Sequence, residues 1–297
     1  MIKAVIDEAA RLDKAVETLY DQGKFQEAIP LAERSLSARE QALGPRHPDV
    51  ATSLSNLAAL HGAQGAYARA EPLYARALDI REKALGAMHP DVAANLNDLA
   101  LLYKAQGTYA RAEPLLVRAI GIREKAQGAM HPDLAVNLSN LAELYLAQGA
   151  YARAEPLLVR ALDIQEKVLG AMHPDLAASL NNLAALYFVQ GAYARAEPLL
   201  IRALEIREKT LGATHPQVAG SLFNLATLYQ TQAAYARAEP LHVRALEIYE
   251  KTLGAMHPNV AFGLNNLALL YKAQGTYARA EPLLVRAIGI REKAQGA

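Results

Sequence analysis

The sequence predicts an all-α solenoid of stacked antiparallel helix pairs, and three observations carry that expectation. One sentence of 42 residues restarts at His47, His89, His131, His173, His215 and His257. Within each copy, apolar residues recur at steps of three and four. Glycine and proline mark two helix boundaries per copy. A fixed period of roughly 20–50 residues signals a stacked array, in which each unit buries its apolar face only against its neighbours. Counting back one period, Gly23, Phe25, Ala28, Pro30 and Gly44 fall on Gly65, Tyr67, Ala70, Pro72 and Gly86. A diverged copy therefore spans 5–46, followed by copies at 47–88, 89–130, 131–172, 173–214, 215–256 and 257–297. The expectation is a single array over residues 1–297.

The copy that begins at His173 shows the elements most cleanly. Its first helix is expected from Pro174 to about Gln190, with Leu176, Leu180, Leu183, Ala184 and Tyr187 on one face. Pro174 suits the first helical position, and Asp175 favours the positive end of the helix dipole. Gly191 stops this helix, because a left-handed terminal residue costs least as glycine. The second helix is expected from about Ala194 to Leu211, burying Ala196, Leu199, Ala203, Leu204 and Ile206. Pro198 lies only about one turn in, so little more than the first internal hydrogen bond is lost. Helices of about 17 residues are roughly 25 Å long, and a link of two or three residues forces an antiparallel hairpin. Small residues at Ala184, Ala196 and Ala203 allow close approach. The fifth full copy has Ala233 where the others have glycine, so a slightly frayed turn is expected there.

Composition narrows the function. Just over half the residues are apolar, Trp is absent, and there is no cysteine to build a disulfide scaffold, a thiolate metal site or a thiol nucleophile. Basic and acidic residues nearly cancel at a net charge of +1, which leaves no footprint for nucleic acid. No apolar run is long enough for a membrane span, and the N-terminal stretch carries acids where a signal peptide needs an apolar core. A soluble, cytoplasmic protein is the expectation.

The pattern L-x-x-L-A-x-L-Y-x-x-Q-G-x-Y-x-x-A-E-P-L-x-x-R-A-L resembles the tetratricopeptide repeat, read here at Leu183, Ala184, Tyr187, Gly191, Tyr193, Ala196 and Ala203. The 42-residue length, the His-Pro-Asp opening and the I-R-E-K-x-L-G ending resemble the variant of kinesin light chains and many bacterial repeat proteins. A bacterial array is the expected source, since no heptad coiled coil of the kind that joins kinesin light chains to their motor is present. The resemblance implies a right-handed superhelix whose first helices line a concave groove. At the sixth groove position it implies Asn56, Asp98, Asn140, Asn182, Asn224 and Asn266. At the fifth it implies Ser55, Asn97, Ser139, Asn181, Phe223 and Asn265. Family members use the sixth-position Asn to grip a peptide backbone, and Asn offers both a donor and an acceptor for that. The rest of the lining is expected to be Leu101, Val136, Leu146, Phe188, Val189, Phe262 and Leu269, with Lys104, Glu143 and Lys272 as the charges. A basic clamp for an acidic peptide has no clear counterpart.

Each of these features also has a plainer reading. The Asn column can hold the stacking register instead, or sit on a solvated face. Phe188 and Phe223 fit either groove or core, and groove is the reading adopted. The six histidines are a repeat apart, roughly 10 Å, whereas shared zinc ligation needs bonds of about 2 Å. They are read as turn residues, no metal or cofactor is expected, and His89-Pro90-Asp91 is a helix start. The Arg-Glu-Lys runs are an exposed charged face. Ser53, Ser179 and Ser221 lie in helices without a nucleophile elbow, and no phosphate loop appears, so no enzyme is expected.

Leu99–Ala129 and Leu267–Ala297 are identical over 31 positions. No capping helix is visible after the last copy, so Leu264, Leu267, Leu283 and Ile288 are expected to be exposed. The expected function is a protein-binding scaffold for a peptide or partner segment, with neither nucleic acid nor membrane as partner. The alternative is a self-assembling array that associates through its uncapped ends.

Overall fold

The computed structural model describes residues 2–295, and Met1, Gly296 and Ala297 of the expected array lie outside them. The described residues form fourteen α-helices and no strand. The diverged pair is α1 (Ile2–Asp21) and α2 (Phe25–Leu43). The full copies give α3 (Pro48–Ala63) with α4 (Tyr67–Leu85), α5 (Pro90–Ala105) with α6 (Tyr109–Gln127), and α7 (Pro132–Ala147) with α8 (Tyr151–Leu169). They continue with α9 (Pro174–Val189) and α10 (Tyr193–Leu211), α11 (Pro216–Thr231) and α12 (Tyr235–Leu253), and α13 (Pro258–Ala273) and α14 (Tyr277–Gln295). The chain divides into two compact units, Met1–Ile164 and Gln165–Ala297. All packing below lies within one or the other.

Each first helix of a full copy starts at the repeated His-Pro. His47, His89, His131, His173, His215 and His257 are N-caps in extended conformation, with Pro at the first helical position. The ring Nδ1 accepts the backbone N–H two residues on at 3.1–3.3 Å. This satisfies one of the orphan donors of the first turn, and it gives the recurring histidine a specific role.

The second helices run through Pro30, Pro72, Pro114, Pro156, Pro198, Pro240 and Pro282 without a break. Proline there removes an N–H close to the helix start, where few internal bonds exist to lose. Their C-terminal glycines, such as Gly212 at φ 88°, hold the left-handed turn that leads into the next histidine. Ala184, Ala196 and Ala203 are buried to 1% or less, which is how the paired helices approach closely. In the first unit Val50, Ala51 and Leu54 pack on Ala77 and Ile80, and the next copy repeats this with Val92, Ala93, Leu96, Ala119 and Ile122. Burying one such leucine stabilises the fold by about 1.5–3 kcal/mol.

Copies are also stitched by polar contacts at a fixed spacing. Arg76 pairs with Glu40, Arg118 with Glu82 and Arg160 with Glu124 in the first unit. Arg202 pairs with Glu166, Arg244 with Glu208 and Arg286 with Glu250 in the second. In a second ladder, Arg111 lies over the Tyr103 ring while both bond Glu71, and Arg237, Tyr229 and Glu197 repeat the arrangement. These pairs are largely exposed and screened by solvent, so they add little stability and serve mainly to fix register.

The turn at Ala233 differs from expectation. Its φ is 58°, the only positive φ at a non-glycine among the described residues, yet the turn is not frayed. Ala233 N–H donates to Gln230 O at 3.0 Å and Ala234 N–H to Tyr229 O at 2.8 Å, as at Gly191 and Ala192. The hydrogen bonds hold the left-handed alanine in place against its strain. Ala233→Gly is therefore expected to raise stability by on the order of 1 kcal/mol, and a urea midpoint that fell would contradict it.

Candidate functional site

First helices lie side by side within each unit: α3 beside α5 and α5 beside α7 in the first, α9 bonded to α11 in the second. Their outward positions form the face on which the predicted residues sit. Asn56, Asn97, Asp98, Asn140, Asn181, Asn182, Asn265 and Asn266 are half-buried, and Asn224 is exposed. Large apolar side chains remain exposed beside them, with Val136 at 51%, Val189 at 55%, Phe262 at 50% and Leu269 at 45%.

The Asn residues already bond one another. Asn97 Oδ1 accepts from Asn140 Nδ2 at 2.7 Å and from the buried Asn137 Nδ2 at 3.0 Å. Asn224 Nδ2 donates to Asn181 Oδ1 at 3.1 Å, and Asn181 Nδ2 donates back to Ala177 O at 2.6 Å. A fifth-position oxygen thus receives a sixth-position amide from the next copy. This contact holds register, and a primary amide has more hydrogen-bonding capacity than that one bond uses. Lys104 is likewise engaged, in a 2.5 Å ion pair with Glu143 of the next copy, so those two groove charges cancel.

In the second unit the face carries a cavity of about 200 Å³ lined by Asn181, Ala184, Ala185, Phe188, Val189, Leu200, Asn224 and Thr227. Pockets for whole small-molecule ligands run to roughly 300–1,000 Å³, so this one suits a single apolar side chain with polar Asn groups at its rim. Phe188 is half-buried on its wall, 5.5 Å from the Tyr193 ring. The alanines and Thr227 in the lining were not anticipated, and nothing in their type distinguishes them from the repeat background.

Phe223 is a correction. It is 3% exposed and belongs to the core of the fifth full copy, not to the groove. Its ring lies 5.6 Å from Tyr249, 5.6 Å from His242 and 5.4 Å from Phe262. At the equivalent place other copies make a polar contact: Arg39 donates to Ser53, Arg81 to Asn95 and Arg207 to Ser221, at 2.5–2.9 Å. Here the Arg is Tyr249 and the Ser or Asn is Gly263, so an aromatic stack replaces that bond. The inward turn of Phe223 follows, because Gly263 leaves room for the ring. His242, where other full copies carry Leu or Tyr, is fully buried beside it.

A second correction concerns the last pair. Leu264 and Leu267 are buried at 0% and 5%, because α13 lies between α12 and α14. Only the outer face of α14 is open, with Ile288 at 54% and Leu283 half-buried.

Among the described residues no helix is long and apolar enough to cross a membrane, and no three metal-ligating side chains cluster. Serial helix pairs of one period, each opened by a His-Pro cap and presenting first helices on one face, define a helical-repeat protein. The chain belongs to the tetratricopeptide repeat family, whose model matches residues 8–83, 61–125, 91–167, 133–198, 175–251 and 234–293. It is similar to BtubC (BKLC) from P. vanneervenii, at 27% identity over 78% of this chain and 91% of that one, with a TM-score of 0.66. It is also similar to a Podosopora anserina protein with nearly identical TPR-like repeats, provisionally assigned as a kinesin light chain. That identity is 32% over 70% of this chain and 99% of that one, with a TM-score of 0.63. RapI, 17% identical over 98% and 100% of the two chains at a TM-score of 0.67, shares the fold alone. Among curated proteins no match was found.

Proposed function

We propose that the chain is a non-catalytic scaffold that captures a peptide or a segment of a protein partner on the face formed by its first helices. The observation that carries this reading is the side-chain-sized apolar cavity rimmed by Asn181 and Asn224. Apolar anchoring in a pocket, with main-chain hydrogen bonds to amides beside it, is the chemistry of peptide capture. The cancelled Lys104–Glu143 charges argue for a ligand that is not strongly acidic.

Peptides selected on the full chain from a displayed library test this. Asn224→Ala and Phe188→Ala are each expected to weaken a selected peptide about tenfold or more by calorimetry. Affinity unchanged from the parent in both variants would remove the face from consideration.

A second reading is favoured by one comparison. In α6, Ile120 packs on Leu134, Ala135 and Leu138 of the next copy, whereas its counterpart Ile288 in the identical stretch of α14 is 54% exposed. Association of two copies through this face predicts that Ile288→Glu abolishes a dimer seen by light scattering and leaves selected peptides bound. A parent chain that stays monomeric at high concentration eliminates it.

A further inference from the structure

The first unit carries a pocket with a different chemistry. A cavity of about 410 Å³ is lined by Tyr20, Tyr67, Tyr74, Asn56 and Asp98 together with apolar side chains of α3 and α5. Tyr20 is 42% exposed at its rim, Tyr67 is half-buried, and Tyr74 lies 6% exposed in its floor. Asp98 occupies the sixth groove position, where the five other full copies have Asn56, Asn140, Asn182, Asn224 and Asn266. One carboxylate thus replaces a neutral amide in a cavity that three tyrosines also line.

That carboxylate is poorly compensated. Burial raises its pKa above the usual carboxylate range, and an Asn97 hydrogen bond with the nearby Arg81 and Arg123 only partly offsets this. Both guanidiniums are engaged elsewhere. Arg81 donates to Asn95 Oδ1 at 2.9 Å and to Thr52, and Arg123 pairs with Asp133 at 2.7 Å. Among the described residues Asp98 has no ion-pair partner. A desolvated anion whose two nearby guanidiniums are committed to other acceptors is under-compensated, and the Asn of the sibling copies avoids the problem. Lys14 lines the adjoining cavity, but Asp13 and Glu17 line it too, so the local sign is not reversed.

We propose that this pocket binds the ammonium or guanidinium head of a Lys or Arg side chain, with Asp98 as counter-ion and Tyr20, Tyr67 and Tyr74 supplying ring faces. The inference rests on the peptide-capture reading and adds a chemical preference to it: a basic side chain at the first unit, an apolar one at the second. A cation gains from both groups at once, through charge attraction in a partly desolvated site and through the negative faces of aromatic rings. An acidic side chain is repelled by Asp98, and a wholly apolar one buries the carboxylate further without pairing it.

The probes are n-butylammonium and n-butylguanidinium, with n-butanol and butyrate as controls, titrated into the isotopically labelled full chain and followed by NMR. Saturable shifts at Tyr20, Tyr67 and Asp98 are expected with the cations alone, and the two cations rank lysine against arginine. Asp98→Asn installs the sibling residue, so the fold is retained, and hydrogen-exchange protection of α5 is expected to be equal or greater. Cation affinity should nevertheless fall about tenfold or more. Shifts equal to those with n-butanol, or undiminished in Asp98→Asn, overturn the proposal. Selected peptides that bind the second unit while the cations fail here would sink this inference alone. Cation binding without any selectable peptide would keep the pocket and sink the peptide-capture reading.

Discussion

Phe223→Ala is expected to cost about 3–5 kcal/mol, the range for truncating a buried aromatic in a packed core. Each repeat contacts only its neighbours, so the loss should be local. Hydrogen exchange should accelerate in α11, α12 and α13 while α1–α6 keep their protection. The cause can be separated from generic damage through Gly263. A Cβ there would sit 3.0 Å from Phe223 Cζ and 3.2 Å from Leu246 Cδ1. Gly263→Ala should therefore lose about 1–3 kcal/mol to overpacking, set against the ~1 kcal/mol that alanine gains over glycine inside a helix, and be better tolerated once Phe223 is truncated. A double-mutant cycle reads this as a coupling of opposite sign to the single effects. Additive losses would show that the ring and the missing side chain do not share one space.

His242 predicts the second large effect, an acid sensitivity of the same copy. Its ring is fully buried, with Nε2 3.3 Å from Gln230 Oε1 and no partner for Nδ1 in the structure. Burial lowers its pKa from 6.5 to about 4. The sign follows from which state binds the proton first. As pH falls below about 6.5 the unfolded chain protonates this group while the native chain does not, so stability drops until the native group also titrates near 4. A gap of that size corresponds to roughly 3 kcal/mol across the window. His242→Leu, the residue of most sibling copies, should remove this part of the slope. It should also stabilise the protein at pH 5 more than at pH 7.5. Parallel stability–pH curves for parent and variant would refute the assignment.

Much of the fold was legible because a solenoid repeats its instructions. The 42-residue period, the His-Pro starts and the Gly stops placed the helix pairs, and the first helix of the His173 copy ends at Val189, one residue short of its expected end at Gln190. The Asn column came from the family resemblance, and the structure brings Asn97 to Asn140 and Asn181 to Asn224, while its part in peptide capture stays a proposal. Phe223 was not legible. A phenylalanine at a groove position turns outward or inward according to what faces it, and the deciding residue, Gly263, lies forty positions on. In retrospect the coordinated departures at Phe223, His242, Tyr249 and Gly263 are visible once the copies are aligned. Asp98 was read as one more member of the Asn column. Its distinction comes from Tyr20 and Tyr74, brought to it by helices α1 and α4.

The two identical stretches mark the boundary between what sequence and tertiary structure each decide. Leu99–Ala129 and Leu267–Ala297 share every residue, and both give a helix from the same Tyr to the same Gln, with alanines buried against the preceding helix. Local propensity, capping and the amphipathic face are properties of the stretch itself, so sequence alone determined them. Burial of the opposite face is not. Arg123 is 8% exposed and paired with Asp133, while Arg291 is exposed, and Tyr109 is half-buried while Tyr277 is 65% exposed. The difference is the presence of α7 against α6. Hydrophobic and electrostatic gains on a helix surface depend on water being removed from it, and only a packed neighbour removes it.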